Sequence, residues 1–265
     1  MRMETENWKQ WREFFAARSE RRLPGLDDPQ DYSALPKSLA RSLAVFQLGE
    51  SGGGSIVQQA AGSTIPAAGP DYASAMRLFV AEEHRHAAIL AICVRNLGGT
   101  LIHQHWTARL FVRARRLLGL RLKVMVLLAA EVVGICYYHL LATRLPAGRL
   151  RSLLAQVVND ERSHLHFHCS FLRSQVTTGW RRRVFVATWR AAMFVAAGIV
   201  LLDHRHALRD MGLSPSTVWR RWTAYSRLAE RLVCRTPVPV DADLALLREP
   251  DVPRRVLHEV SASTV

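Results

Sequence analysis

Two stretches, EEHRH at 82–86 and NDERSH at 159–164, place a glutamate three residues before a histidine: Glu83-x-x-His86 and Glu161-x-x-His164. On a helix, residues three apart lie on adjacent turns about 60° from each other, so a carboxylate and an imidazole can converge on one metal ion. One such pair is a weak signal. The repetition gains weight from a further carboxylate before each pair. Glu50 stands 33 residues before Glu83, and Glu131 stands 30 residues before Glu161. The chain thus carries a loose internal repeat of Glu, then Glu-x-x-His. That is the donor set of a di-metal carboxylate bundle, with one Glu from each of two helices and Glu-x-x-His from each of the other two.

The alternative is that these are solvated helix glutamates. The neighbours of Glu50 (Val45, Phe46, Leu48) and of Glu131 (Ala129, Ala130, Val132, Val133) are mostly apolar, which argues for burial. A carboxylate inside a bundle costs several kcal/mol unless its charge is compensated. Two divalent cations would cancel four carboxylates, with His86 and His164 as neutral ligands. Structural zinc fits less well, because it prefers closed Cys and His tetrahedra.

Six helices are expected to position these residues, at about 38–62, 71–97, 120–143, 148–176, 181–210 and 214–233. Strand signals are scarce. Asp71 and Ser214 read as caps, and Asn96-Leu97-Gly98-Gly99 reads as a left-handed helix end. Short loops join helices one and two, and three and four. A crossover of about 20 residues, 98–120, connects the two hairpins, and this is the connectivity of ferritin-like bundles. The division expected is 1–37 as an N-terminal extension of helix and loop, 38–176 as the four-helix bundle, 177–235 as additional helices and 236–265 as a Pro-rich tail.

The third helix, Leu122–Leu141, is long and apolar enough to span a membrane, but Glu131 at its centre argues against lipid. Residues 184–202 are similarly apolar and interrupted by Arg190. Packing in the core or at an interface is expected for both. The net charge of +14 invites a nucleic-acid reading. However, only three of the 36 basic residues are lysines, and no zinc-finger spacing or RNA-binding aromatic run accompanies the charge, so a solvated, anion-attracting surface is the better reading. Four cysteines without CxxC spacing and an N-terminus lacking an apolar signal segment lead to the expectation of a reduced, cytoplasmic protein.

With this motif over residues 38–176, the chain resembles the non-haem di-iron carboxylate proteins of the ferritin-like superfamily, which includes rubrerythrins and aldehyde-deformylating oxygenases. The fold class the resemblance implies is all-α, a ferritin-like four-helix bundle with additional C-terminal helices. It also implies Glu50, Glu83, His86, Glu131, Glu161 and His164 as ligands of two iron ions, with Glu83 and Glu161 bridging. Manganese or a mixed pair also suits such a site. Asp160 and Glu82 would orient the ligand histidines, with Arg85 and Arg162 as their partners. Tyr138, seven residues after Glu131, either hydrogen-bonds a ligand or packs.

His168 faces the metals as a supporting group more readily than as a ligand. Val157 occupies the position where similar N-oxygenases have their third histidine. His84, His139 and His166 point elsewhere, and Asp203, His204 and His206 are assigned no metal. In the run Ser51-Gly52-Gly53-Gly54 after Glu50, Gly53 and Gly54 lie on the metal side and read as a π-bulge or widened channel, with close helix packing as the alternative.

The resemblance implies an O2-activating oxygenase or oxidase acting on a small or carrier-bound organic substrate. Its pocket walls are expected to include Phe46, Val57, Leu127, Ile135, Phe167 and Phe171. An external electron donor is implied. Peripheral membrane contact and a homodimer are the further partners considered. A ferroxidase or peroxide-scavenging protein and an RNA-modifying hydroxylase are the alternative readings.

Overall fold

Apolar residues at intervals of three and four build every long helix of the chain. In the computed structural model, which describes residues 8–21, 31–52, 54–117 and 119–235, they form ten α-helices and no strand. Gly53 and the Pro-rich segment 236–265 lie outside the described residues. The helices are α1 (Trp8–Ser19), α2 (Lys37–Glu50), α3 (Gly54–Ala61), α4 (Pro70–Asn96), α5 (Trp106–Leu117), α6 (Leu120–Arg144), α7 (Arg149–Gln175), α8 (Gly179–Asp203), α9 (Arg205–Asp210) and α10 (Pro215–Cys234). The architecture is all-α, a ferritin-like bundle with further helices after it.

α2, α4, α6 and α7 form the bundle. α2 and α4 run antiparallel, since the chain just after α4 comes back to Ala40 near the start of α2. α6 and α7 do likewise, with Arg121 at the start of one donating to Gln175 at the end of the other (2.9 Å). The crossover between these hairpins is not all loop, because it carries the basic helix α5. The expected first helix is also two, α2 ending at Glu50 and α3 beginning at Gly54. Glu50 is therefore the last residue of its helix rather than its middle. The expected helix at 181–210 divides after Asp203 into α8 and α9.

Several helix ends follow local chemistry. Ser214 caps α10, its hydroxyl accepting from the Thr217 N–H (3.2 Å). Asp71 does not cap α4: Pro70 opens that helix, and Asp71 instead accepts from Arg12 (2.6 Å). α4 ends through Gly98 at φ +67°, where the Gly99 N–H returns to the Val94 carbonyl (2.9 Å).

α1 is an integral part of the core. Trp8, Trp11, Phe15 and Arg18 are buried along one of its faces. Trp8 meets Tyr72 edge-on (4.8 Å between ring centres), and Trp11 and Phe15 meet Phe167 in the same way (5.5 and 5.2 Å). Burying a large apolar side chain contributes about 1.5–3 kcal/mol, so this helix is held firmly onto α4 and α7.

The two apolar helices behave differently. The most apolar stretch of α6 is 83% buried, as expected for the centre of a bundle. That of α8 is 22% buried, so core packing explains only its inner side.

Gly99 and Gly54 give opposite expectations. A Cβ on Gly99 would lie 2.7 Å from the Ala40 Cβ, whereas one on Gly54 would meet no atom within 4 Å. Gly99→Ala should lower stability by about 1–3 kcal/mol through overpacking. Gly54→Ala should be neutral or stabilising by about 0.5–1 kcal/mol. Denaturant unfolding of the two variants checks the order, and equal effects would contradict the close approach at Gly99.

Candidate metal centre

Four helices each turn one part of the Glu and Glu-x-x-His set toward the bundle axis. On α4 and α7, Glu83 and His86, and Glu161 and His164, project from adjacent turns. One ligand atom of each of these four lies within 4.8 Å of those of the others. The His86 and His164 rings are 5.2 Å apart. Glu161 touches both imidazoles, at 3.0 Å from His86 Nδ1 and 3.1 Å from His164 Nδ1. Glu83 also reaches both, at 2.7 Å from His164 Nδ1 and 3.8 Å from His86 Nδ1.

Glu50 and Glu131 close the ring from α2 and α6. Glu50 acts on Glu83 and Glu161 across the bundle, and its Oε1 accepts from the Tyr138 hydroxyl (2.7 Å). Glu131 lies 3.7 Å from His164 Nδ1, and its other oxygen lies 3.2 Å from His168 Nε2. All six residues expected as ligands thus come together, and Tyr138 and His168 join them. Tyr138 does hydrogen-bond Glu50.

The outward nitrogens of both histidines face a second layer of acids, paired across the bundle. His164 Nε2, on α7, lies 3.0 Å from Glu82 Oε2 on α4, and His86 Nε2, on α4, lies 3.5 Å from Asp160 Oδ2 on α7. Asp160 and Glu82 therefore each serve the histidine of the opposite hairpin. Burial would raise the Glu82 carboxyl, but the hydrogen bond and charge of His164, with Arg18 and Arg85, outweigh it and hold Glu82 well below the usual carboxylate range. Asp160 is lowered in the same sense, with His86 and Arg18 opposing the effect of burial. An ionised carboxylate only accepts, so the protons belong on the two Nε2 atoms, and Nδ1 of each ring is the nitrogen directed inward.

Three arginines hold this layer. Arg18 on α1 donates Nε to Glu82 (3.0 Å), one terminal nitrogen to Ser163 Oγ (2.9 Å) and the other to Asp160. Arg85 donates to Asp160 (3.0 Å) and to Glu82, and Arg21 donates to Asp160 (3.0 Å). Arg162, expected here, lies instead beside Tyr225 and His139. The roles of Arg18 and Arg21 are the part of the site that motif reasoning missed. Their sequence signal is the stripe Trp8, Trp11, Phe15 and Arg18 at helical spacing, which fixes α1 against the bundle and delivers Arg18 to its interior.

The side chains that form the inner ring include no lysine or arginine, so its charge is shared among carboxylates and imidazoles. Burial raises Glu50 and Glu131 well above the usual carboxylate range, and the neighbouring carboxylates push them the same way. Burial would lower His86, but the adjacent Glu161 carboxylate, with the hydrogen bond that His86 donates to Asp160, lifts it to about 9. His164 is raised in the same direction, chiefly by Glu83. Burial and the His164 charge hold His168 down, to about 3, so it is neutral.

Buried atoms facing the ring, His86 Nδ1, Glu83 Oε1 and Glu161 Oε1, make close contacts across it but no well-formed hydrogen bond. Four carboxylates with two imidazoles, and donor atoms turned inward, fit a pair of divalent cations.

Other expectations are corrected. Gly54 is exposed and begins α3, so neither a π-bulge nor close packing accounts for it. The break between α2 and α3 replaces the bulge, beside a half-buried Glu50. Phe167 and Phe171 do not line open space, because Tyr72 stacks on both (5.6 and 4.6 Å) and Trp8 packs beside them. Phe46 stacks on Tyr137 (4.4 Å). His84 is exposed, and His139 and His166 lie away from the ring. His204 has a structural task, with Nδ1 2.7 Å from Ser42 Oγ, which also bonds Tyr137.

Arg18→Leu should destabilise the metal-free protein by up to the roughly 3–5 kcal/mol that breaking a buried ion pair costs, lessened by Arg85. Arg21→Gln, at a half-exposed side chain, should cost about 0–1 kcal/mol. Urea midpoints compare the two, and equal shifts would contradict a buried role for Arg18.

No family model matches this sequence, and no curated protein sequence matches it. Among solved structures, the fold matches that of a Synechococcus protein described as protein 19 with aldehyde deformylating oxidase activity, at a TM-score of 0.57 and 23% identity. The match covers 81% of this chain and 98% of the other. The chain shares the ferritin-like helical-bundle fold of that enzyme, and at this identity the likeness establishes the fold alone.

Proposed function

We propose that the protein is an O2-dependent di-iron oxidoreductase, an oxygenase or oxidase, that acts on a small or carrier-bound organic substrate and takes electrons from an external donor. The observation that carries this reading is the orientation of the two histidines. Each turns Nδ1 toward four converging carboxylates, while Nε2 faces an acid fixed by buried arginine. The oxidase activity attached to the Synechococcus structure supports the same class of chemistry.

His86 with Glu83, and His164 with Glu161, would each hold one metal. Glu50 would complete the first position and Glu131 the second, and Glu83 and Glu161, each within reach of both imidazoles, would be shared between the two. Two ferrous ions there would supply electrons and open coordination positions for O2. The chain's own residues do the remaining work. Glu82 and Asp160 fix the tautomer and plane of each imidazole. Tyr138 holds one oxygen of Glu50, which sits at a helix end and so has more freedom to reorient than the three mid-helix carboxylates. His168, neutral and beside Glu131, holds that carboxylate from the opposite side. The aromatic layer of Trp11, Phe15, Phe79 and Phe167 keeps water from the histidines, with Phe79 edge-on to His164 at 4.8 Å. The exposed break at Ser51–Gly52, next to Glu50, is the approach for substrate.

Protein loaded anaerobically with ferrous iron should hold two metal ions per chain. Glu131→Ala and Glu50→Ala should each reduce that content, since each removes an oxygen donor and unbalances the charge. Exposure to O2 should convert bound ferrous to ferric iron in the parent protein. Elemental analysis that finds unchanged metal in both variants would remove the di-metal assignment. Loading without O2 consumption would remove the oxidase assignment.

A further inference from the structure

α8 presents an apolar ridge to solvent along most of its length. Trp180 (73% exposed), Val184, Phe194 (67%), Val195 (57%) and Leu202 (59%) recur at helical spacing on its outer side. The residues between them on that face, Ala187, Ala191 and Gly198, are small, uncharged and exposed. The opposite side is firmly packed through Phe185, Trp189, Met193 and Ala197. At 25 residues α8 is about 37 Å long, and the ridge runs along most of it. Trp219 of α10 widens it, edge-on to Phe194 at 5.7 Å. A ridge of this size is more than the scattered apolar residues of an ordinary surface.

The charges around the ridge are almost all of one sign. Arg181 and Arg183 flank its first turn, with Arg182 beside them, and Arg205 and Arg209 follow its last, all exposed. Residues 178–235 contain eleven arginines against three carboxylates. Two of those acids are already engaged, Glu230 with Arg190 (2.8 Å) and Asp210 with Arg209 (3.1 Å). The third, Asp203, accepts from the Trp106 indole N–H (3.0 Å). Tryptophans thus stand at both ends of the ridge, Trp180 at one and Trp106 at the other, as they do where a helix meets a lipid–water boundary.

We infer that this face docks on an anionic lipid surface, α8 lying in the plane of the interface with its ridge in the acyl boundary and its arginines among the headgroups. A second copy of the chain is the poorer occupant. Pairing the ridges antiparallel sets Arg181–Arg183 against Arg205 and Arg209, and pairing them parallel sets each cluster against itself. A spanning α8 would have to leave its packed side, and Arg220, Arg227 and Arg231 of the adjoining α10 are too polar to follow it. The ridge stands apart from the Glu and His cluster, and the inference does not depend on the metal.

The test is flotation of the full chain with phosphatidylcholine vesicles, with and without phosphatidylglycerol. Binding should require the anionic lipid and weaken steeply with salt. Phe194→Glu with Val195→Glu should reduce the bound fraction about tenfold or more. Arg181→Gln with Arg182→Gln and Arg183→Gln should weaken binding and flatten the salt dependence. All these positions are exposed, so circular dichroism and metal content should match the parent protein. Absence of binding to anionic vesicles would overturn the inference, as would equal binding to both lipids. A dimer in sedimentation analysis that the Phe194 and Val195 variant converts to monomer would assign the face to a second copy instead.

Discussion

Four carboxylates converge inside the bundle, and their mutual repulsion is the constraint around which the rest of the structure is arranged. Left alone, each would carry several kcal/mol of uncompensated burial. In the metal-free protein, protons absorb part of that charge: Glu50 and Glu131 are held toward their neutral forms, and the two imidazoles toward their charged forms. A pair of divalent cations would take the place of those protons. The cost of the arrangement is then met by a ligand rather than by packing, as expected of a functional site and not of a structural one.

The layer behind the histidines converts a cluster of acids into a directed site. Glu82 and Asp160 cross-link the two hairpins by facing the histidine of the opposite helix. Arg18 and Arg85 make those acids tolerable in the interior and fix their geometry. Arg18 comes from α1, so the N-terminal helix is tied to the chemistry of the bundle through one guanidinium and a run of aromatic side chains.

Much of this was legible in the sequence, because ligand chemistry has a strict spacing. Glu-x-x-His needs two adjacent turns of one helix, and the preceding Glu needs a helix of its own, so all six inner residues could be read from position alone. Tyr138 and His168 followed from the same phase. What could not be read was set by tertiary contacts. The helix expected through Glu50 divides, because Gly52 and Gly54 beside Ser51 make continuation costly and Ser51 caps the first half. Arg18 belongs to a helix with no motif, and its role exists only once α1 packs on α4 and α7. Arg85 and Arg162 looked equivalent in their repeats, yet α1 covers one side of the bundle, where Arg85 donates to the Arg18 carbonyl (2.9 Å) and joins Arg18 between Glu82 and Asp160, while Arg162 lies elsewhere. α6 and α8 are similarly apolar, and burial separates them: one lies at the centre of the bundle, and the other has a packed side and an exposed one.

The central claim is that His86, His164 and the four carboxylates hold two metal ions on the Nδ1 side of the imidazoles. Anomalous diffraction at the iron edge, from crystals grown with ferrous iron under anaerobic conditions, tests it directly. The account predicts two peaks between Glu83 and Glu161, one bonded to His86 Nδ1 and one to His164 Nδ1, with both Nε2 atoms still facing Asp160 and Glu82. Iron absent from the ring, or bound outside these six residues, would contradict it.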